Sequence, residues 1–131
     1  MAQTFNLQII TPEKIFFSGE ADYVSAPGVQ GEFGVLPGHS PLVSVLKAGV
    51  VQVRKNGETQ RFAIREGVAE VTSSHCIILA ELAQSLEGIE PTQAQSEVQA
   101  ARDAYETAHT EELKARAAAK LELAEVVAEA V

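Results

Sequence analysis

Phe5, Leu7 and Ile9 alternate with Asn6 and Gln8, a period of two that places the apolar side chains on one face of a strand and predicts that face to be buried. Thr11-Pro12 closes the run, since proline donates no hydrogen bond to a ladder. The strongest strand signal lies further on: Val51 to Lys55, then Asn56-Gly57, then Glu58 to Ile64. Asn-Gly accepts the positive φ angles of a two-residue type I′ turn, so these runs predict a hairpin. Apolar or β-branched runs bounded by turn residues recur at Asp22 to Ala26, Gly67 to Thr72 and His75 to Ala80. Their spacing predicts an antiparallel sandwich or barrel.

After Pro91 the period changes. Val98, Ala101, Tyr105 and Ala108 recur at three and four residues, the stripe of an amphipathic helix. Thr92, with Gln95 three residues later, predicts a capping box at its start. A second stripe, Leu113, Ala117, Leu121, Ala124, Ala128 and Val131, follows Thr110, a candidate N-cap, while Glu111 and Glu112 suit the positive end of the helix dipole. His109-Thr110 is the predicted turn. Two helices of about 16 to 20 residues on so short a link must lie antiparallel, and small alanines in the seam let their axes approach.

The breakers and the charge divide at the same place. All nine glycines lie at or before Gly88 and all five prolines at or before Pro91, whereas residues 92–131 hold 12 alanines. Residues 86–131 carry ten acids and four bases, a charge of −6, leaving −2 for residues 1–85. The predicted fold is therefore α+β: a β-sandwich over residues 1–86 and an Ala-rich helical hairpin over 87–131.

At 131 residues the chain suits one domain with an appendage. Its 46% hydrophobic and 21% charged residues describe a chain that buries a core in water. A net charge of −8 offers nucleic-acid phosphates little, because that affinity comes from Lys and Arg. The lone cysteine, Cys76, cannot close an intramolecular disulfide and suits a reducing compartment. MAQTFNLQII has no basic segment leading into a long apolar run, and no stretch approaches the roughly 18 apolar residues of a membrane span, so neither secretion nor insertion is expected.

Candidate chemistry is sparse. His39, His75 and His109 fall in a turn-rich loop, a predicted hairpin and a helix link, and none stands at HxxxH or HExxH spacing. Gly28, Gly31 and Gly34 form GxxGxxG, but a dinucleotide fingerprint needs GxGxxG opening a helix, and Leu36-Pro37-Gly38 and Pro41 follow instead. A sharply turned loop between strands is the expectation. Cys76, in Cys-Ile-Ile-Leu-Ala, reads as a buried inert thiol. No catalytic, cofactor or metal residue can be nominated. The dense run from Pro27 to Leu42 suggests instead a rigid docking surface presenting Glu32, Phe33 and His39.

That run resembles the signature of the ε subunit of bacterial F-type ATP synthase, called δ in mitochondria. The resemblance extends in order over Thr11-Pro12-Glu13-Lys14, Phe17-Ser18-Gly19-Glu20-Ala21, the GEFGVLPGHSPL core, Leu46-Lys47-Ala48-Gly49 and Glu66-Gly67-Val68-Ala69-Glu70-Val71, and reaches the helical hairpin. It implies a sandwich of about ten antiparallel strands followed by two antiparallel helices, without catalysis of its own. It also implies a rotor part that binds the γ shaft, rests on the polar loops of the c-subunit ring and touches the α and β subunits through the hairpin. Its place would be the cytoplasmic face of the bacterial inner membrane. By position, the resemblance assigns Glu32, Phe33 and Gly34 to the ring contact and Thr11, His39 and Ser44 to the γ contact.

The sequence also departs from the family in places. Some family members bind ATP through I-D-x-x-R-A at the start of the first helix; here Ile89-Glu90-Pro91-Thr92-Gln93-Ala94 has Gln93 in place of the arginine, so no ATP binding is expected. An extended hairpin can block hydrolysis in the family, yet this second helix offers only Lys114, Arg116 and Lys120 as bases, which weakens that expectation. Glu66 stands where the family often has a glycine. The alternative reading is a small β-sandwich ligand-binding module that dimerises through its helical tail.

Overall fold

A computed structural model describes residues 3–131. Eight strands precede two helices: β1 Phe5–Ile10, β2 Ile15–Ala21, β3 Tyr23–Gly28, β4 Gly31–Val35, β5 Leu42–Leu46, β6 Gly49–Lys55, β7 Glu58–Val71, β8 His75–Ser85, α1 Pro91–Thr107 and α2 Glu111–Ala130. The predicted alternation in β1 holds, with Phe5, Leu7 and Ile9 all buried. The Asn-Gly hairpin joins β6 to β7, with Asn56 at φ 52° and Gly57 at φ 80°. Lys55 pairs with Glu58 across it, and the Asp22 carboxylate accepts the Asn56 N–H at 2.8 Å.

Two expectations change. The strands number eight rather than the about ten that the resemblance implies, and the runs expected at Glu58 to Ile64 and Gly67 to Thr72 form one 14-residue strand that ends at Val71. The sandwich is mixed rather than purely antiparallel: β1 runs parallel to β8 while every other pair is antiparallel. A parallel pair needs a long crossover, and the strands between β1 and β8 supply it.

The long strands β7 and β8 serve both layers of the sandwich. Residues 67–71 of β7 pair with β5, and residues 58–64 pair with β6. The first layer thus runs β2-β1-β8-β7-β5, and the second joins β4, β3, β6 and the other halves of β7 and β8. Where β7 changes partner, Glu66 sits at φ 56°, in the left-handed region that favours glycine. Beside it, a Cβ on Gly67 would meet the Leu79 carbonyl oxygen of β8. Gly67→Ala is therefore expected to cost about 1–3 kcal/mol, because the obstacle is backbone and cannot swing aside; urea titration of the two proteins measures it, and an unchanged midpoint would refute the close approach.

Between the layers lies one core built on Leu7, Ile9, Val24, Val35, Leu46, Val51, Val53, Ile64, Val71 and Ile78. Cys76 lies in it, its thiol pushed up to about 12 by burial. The thiol therefore stays protonated and unreactive at neutral pH.

The hairpin packs on the sandwich through α2, which contacts β6, β7 and β8 and also α1. Thr110 caps α2, accepting the Leu113 N–H at 3.1 Å. The capping box expected at Thr92 is not formed: Glu90 is the N-cap and makes no side-chain cap bond. Pro91 explains the shift, since its fixed φ suits the first helical position and starts the helix ahead of Thr92. Of the stripe predicted for α2, Ala117 is buried and Ala128 and Val131 pack with the sandwich side, but Leu113 is 46% exposed. Val127, Leu123 and Val126, which lie off that stripe, pack with Val50, Ala63 and Leu86 of the sandwich side. A helix wedged between another helix and a sheet needs two apolar faces, and a single stripe describes only one.

Candidate functional site

The second layer has its outer face covered: Ala63 is fully buried although its neighbours Phe62 and Ile64 point into the sandwich core. Among the described residues nothing covers the first layer in this way, and its outer face carries an apolar stripe. Val45 pairs with Val68, Val68 with Leu79, Leu79 with Ile10, and Ile10 with Ile15. The Val29 N–H extends the row by donating to the Val45 carbonyl at 3.0 Å. Six aliphatic side chains thus form one stripe across five strands and the adjoining turn. Leu79, at its centre, is 54% exposed, and Val45 57%. The next row, Val43, Glu70, Ile77 and Gln8, adds Val43 at 71% exposure. Single exposed aliphatics are ordinary, but a contiguous row on an open sheet face marks an interaction surface.

The glycine-rich run is narrower than a loop. Pro27 pairs with Glu32 and Gly28 with Gly31, so most of it is the β3–β4 hairpin turning at Val29-Gln30. Among the described residues strand β4 is the free edge of its layer, paired only with β3. Along it Glu32 points to solvent, while Phe33 turns half-buried against the core and closes on Gly28. Gly34 leaves room for the Tyr23 ring, whose Oη lies 2.5 Å from where a Cβ would stand. Glu32 makes no ion pair among the described residues and borders a cleft with Lys47, Val50 and the end of α2. Of the three residues assigned to the ring contact, Glu32 alone presents a charge.

Thr11, His39 and Ser44 occupy three separate places. Thr11 closes the β1–β2 turn, its hydroxyl accepting the Lys14 N–H at 3.2 Å, next to the Ile10–Ile15 end of the stripe. Ser44 lies on β5 between Val43 and Val45, its hydroxyl donating to the Val45 carbonyl. His39 lies in the β4–β5 loop at the opposite end of the face, where the Gly38 N–H donates to Ser73. Thr11 and His39 thus stand at opposite ends of the apolar face, whereas Ser44 pairs with the buried Ala69 and lies on the other side of β5 from Val43 and Val45, so the three do not meet. Among the described residues no group of His, Cys, Asp and Glu is placed to hold a metal ion, and no helix is long and apolar enough to cross a membrane.

Residues 4–85, the whole of this sandwich, match the family described as the ATP synthase delta/epsilon chain, beta-sandwich domain. The chain belongs to the ATP synthase delta/epsilon family. It is 43% identical over 101 residues to the ATP synthase epsilon chain of Desulforamulus reducens, covering 77% of this chain and 76% of that one. It is 35% identical over 128 residues to the epsilon chain of Rhodospirillum rubrum, covering 97% and 96%, so that similarity includes both helices. Its fold is that of a chain in the Euglena gracilis mitochondrial ATP synthase, with a TM-score of 0.72 at 22% identity over 97% of this chain and 81% of that one.

For this delta/epsilon chain, residue-by-residue reading of the sequence passed over the apolar stripe, though a signal was present. Val43-Ser44-Val45 alternates like a strand with one wet face, but its aliphatic residues are the exposed ones. Ile77-Ile78-Leu79 is apolar at both parities, which only a face buried on both sides, or awaiting a partner, requires.

Proposed function

We propose that this chain is a non-catalytic rotor subunit of an F-type ATP synthase, seating the γ subunit on the open apolar face and meeting the c-subunit ring with the β3–β4 edge. The observation that carries this reading is the stripe from Val29 to Ile15, exposed on one layer while the hairpin covers the other. A sandwich with one core shared by both layers transmits torque without deforming. The stripe supplies contact area, and Glu32 at a free edge supplies a charge that sets register with a basic loop more than raw affinity. Held by its partners, the subunit sits at the cytoplasmic face of a bacterial inner membrane. Residues 1–86 act as the docking unit, and 87–131 as a hairpin that reaches the α and β subunits only when released.

The hairpin binds no ATP in this reading. Gln93, where family members carry arginine, lies on the exposed first turn of α1, with its amide directed to Glu97 at 3.5 Å, and offers no cation to a phosphate. Glu32→Lys is expected to lower ATP-driven proton pumping in reconstituted membranes about 3- to 10-fold with the melting temperature unchanged. Wild-type pumping by that variant would remove Glu32 from the ring contact.

A further inference from the structure

Arg65 lies where β7 changes partner and gathers three carboxylates. Its Nη1 donates to Glu81 Oε2 at 2.7 Å and its Nε to Glu122 Oε1 at 2.9 Å, and Glu66 Oε2 stands 3.6 Å away. Glu81 belongs to β8 and Glu122 to α2, so the cluster joins both strands to the hairpin. Its Glu122 arm is the one ion pair between hairpin and sandwich among the described residues. One guanidinium against three carboxylates leaves two negative charges uncompensated. Arg65 is 22% exposed, while the carboxylates are about half exposed, so the excess charge faces water.

That excess stands beside the apolar stripe. Val29, Val45, Leu46 and Val68 line a groove of about 580 Å³ together with Glu66, Glu81 and Glu122. A partner covering the stripe takes water from these carboxylates, and desolvating charge without a counter-charge opposes binding. Lys47 also borders the groove but makes no ion pair with the cluster. With Arg65 and Lys47 against Glu66, Glu81 and Glu122 the groove keeps a net negative charge, which a cation on the occupant offsets. Glu122 reaches the groove only because α2 is docked, so the groove has its full charge only in that state.

We propose that this groove receives a γ segment carrying an aliphatic side chain next to a lysine or arginine, and that its occupation and hairpin docking stabilise each other. The inference rests on the open face being the γ seat. Because coupling between two equilibria is reciprocal, a segment that binds better to the docked hairpin also holds the hairpin down. The test uses the full chain with a matched γ-containing catalytic complex. Hydrogen exchange of α2 amides is followed free and bound, and affinity is measured for the wild type, Glu122→Gln, Glu125→Gln and Leu79→Glu.

Binding is expected to slow exchange across α2. Glu122→Gln should bind about 3- to 10-fold more weakly at low salt, with the difference gone near ~0.5 M salt. Glu125→Gln, exposed on α2 and outside the groove, should bind as the wild type does. Faster or unchanged α2 exchange on binding, or wild-type affinity in Glu122→Gln, overturns the coupling. If Leu79→Glu weakens binding in that case, the γ seat itself still stands. Normal binding by Leu79→Glu overturns the seat and the coupling together.

Discussion

Leu79→Glu is expected to weaken association with a matched γ-containing catalytic complex by at least about 30-fold, or about 2 kcal/mol, while the free protein melts within about 2 °C of the wild type. Leu79 holds the middle of the stripe, paired with Val68 on one side and Ile10 on the other. Residues at the centre of an interface carry most of its energy, because their neighbours exclude water around them. A glutamate there must either be desolvated or hold the two surfaces apart. In the free chain the same position is 54% exposed, so the carboxylate stays hydrated and the fold loses little. Sedimentation or gel filtration with the complex, beside a melting curve of the free variant, checks both halves. Co-elution as tight as the wild type's would show that γ is held elsewhere.

Val127→Asp should have the largest effect on the hairpin. Val127 is 1% exposed and buried with Ala63, Leu86 and Ala94 in a wholly aliphatic cluster. An unpaired carboxylate in such a place costs several kcal/mol. The helix can avoid that cost by leaving the sheet, because the sandwich core from Phe5 to Ala80 contains no residue of α2. Amides of α2 are then expected to lose protection by about 100-fold or more in hydrogen exchange, while those of β1, β7 and β8 keep theirs. Global unfolding in the same experiment would show that sandwich and hairpin form one cooperative unit. Undiminished α2 protection would place Val127 outside the contact.

The sequence carried the local elements and lost the long-range ones, for identifiable reasons. Alternation in β1, Asn56-Gly57 and the Thr110 cap are effects of neighbouring residues, and each stands where the pattern puts it. The parallel pairing of β1 with β8 joins residues about 70 apart, which no local pattern encodes. The unbroken β7 was split because Glu66-Gly67 reads as a turn; its φ of 56° bends the strand between layers rather than ending it. In α2 the predicted stripe takes in Ala128 and Val131, which pack with the sandwich side, but not Val127, Leu123 and Val126, since alanine fits a helix seam and a solvated face equally well. The exposed residues of the sandwich show the same division. Glu32 was legible from its setting in the glycine-rich run, whereas the apolar face appeared only once Val45, Val68, Leu79 and Ile10, each ordinary alone, were brought into register.

Hydroxyl-radical footprinting of the full chain, free and in a matched γ-containing catalytic complex, tests the γ seat most directly. Leu79, Val45, Val43 and Val68 are exposed in the free chain and should lose most of their reactivity on assembly, while Leu113 and Tyr105, exposed on the hairpin, should keep theirs. Full reactivity of the stripe in the assembled complex, with protection confined to the hairpin, would contradict it.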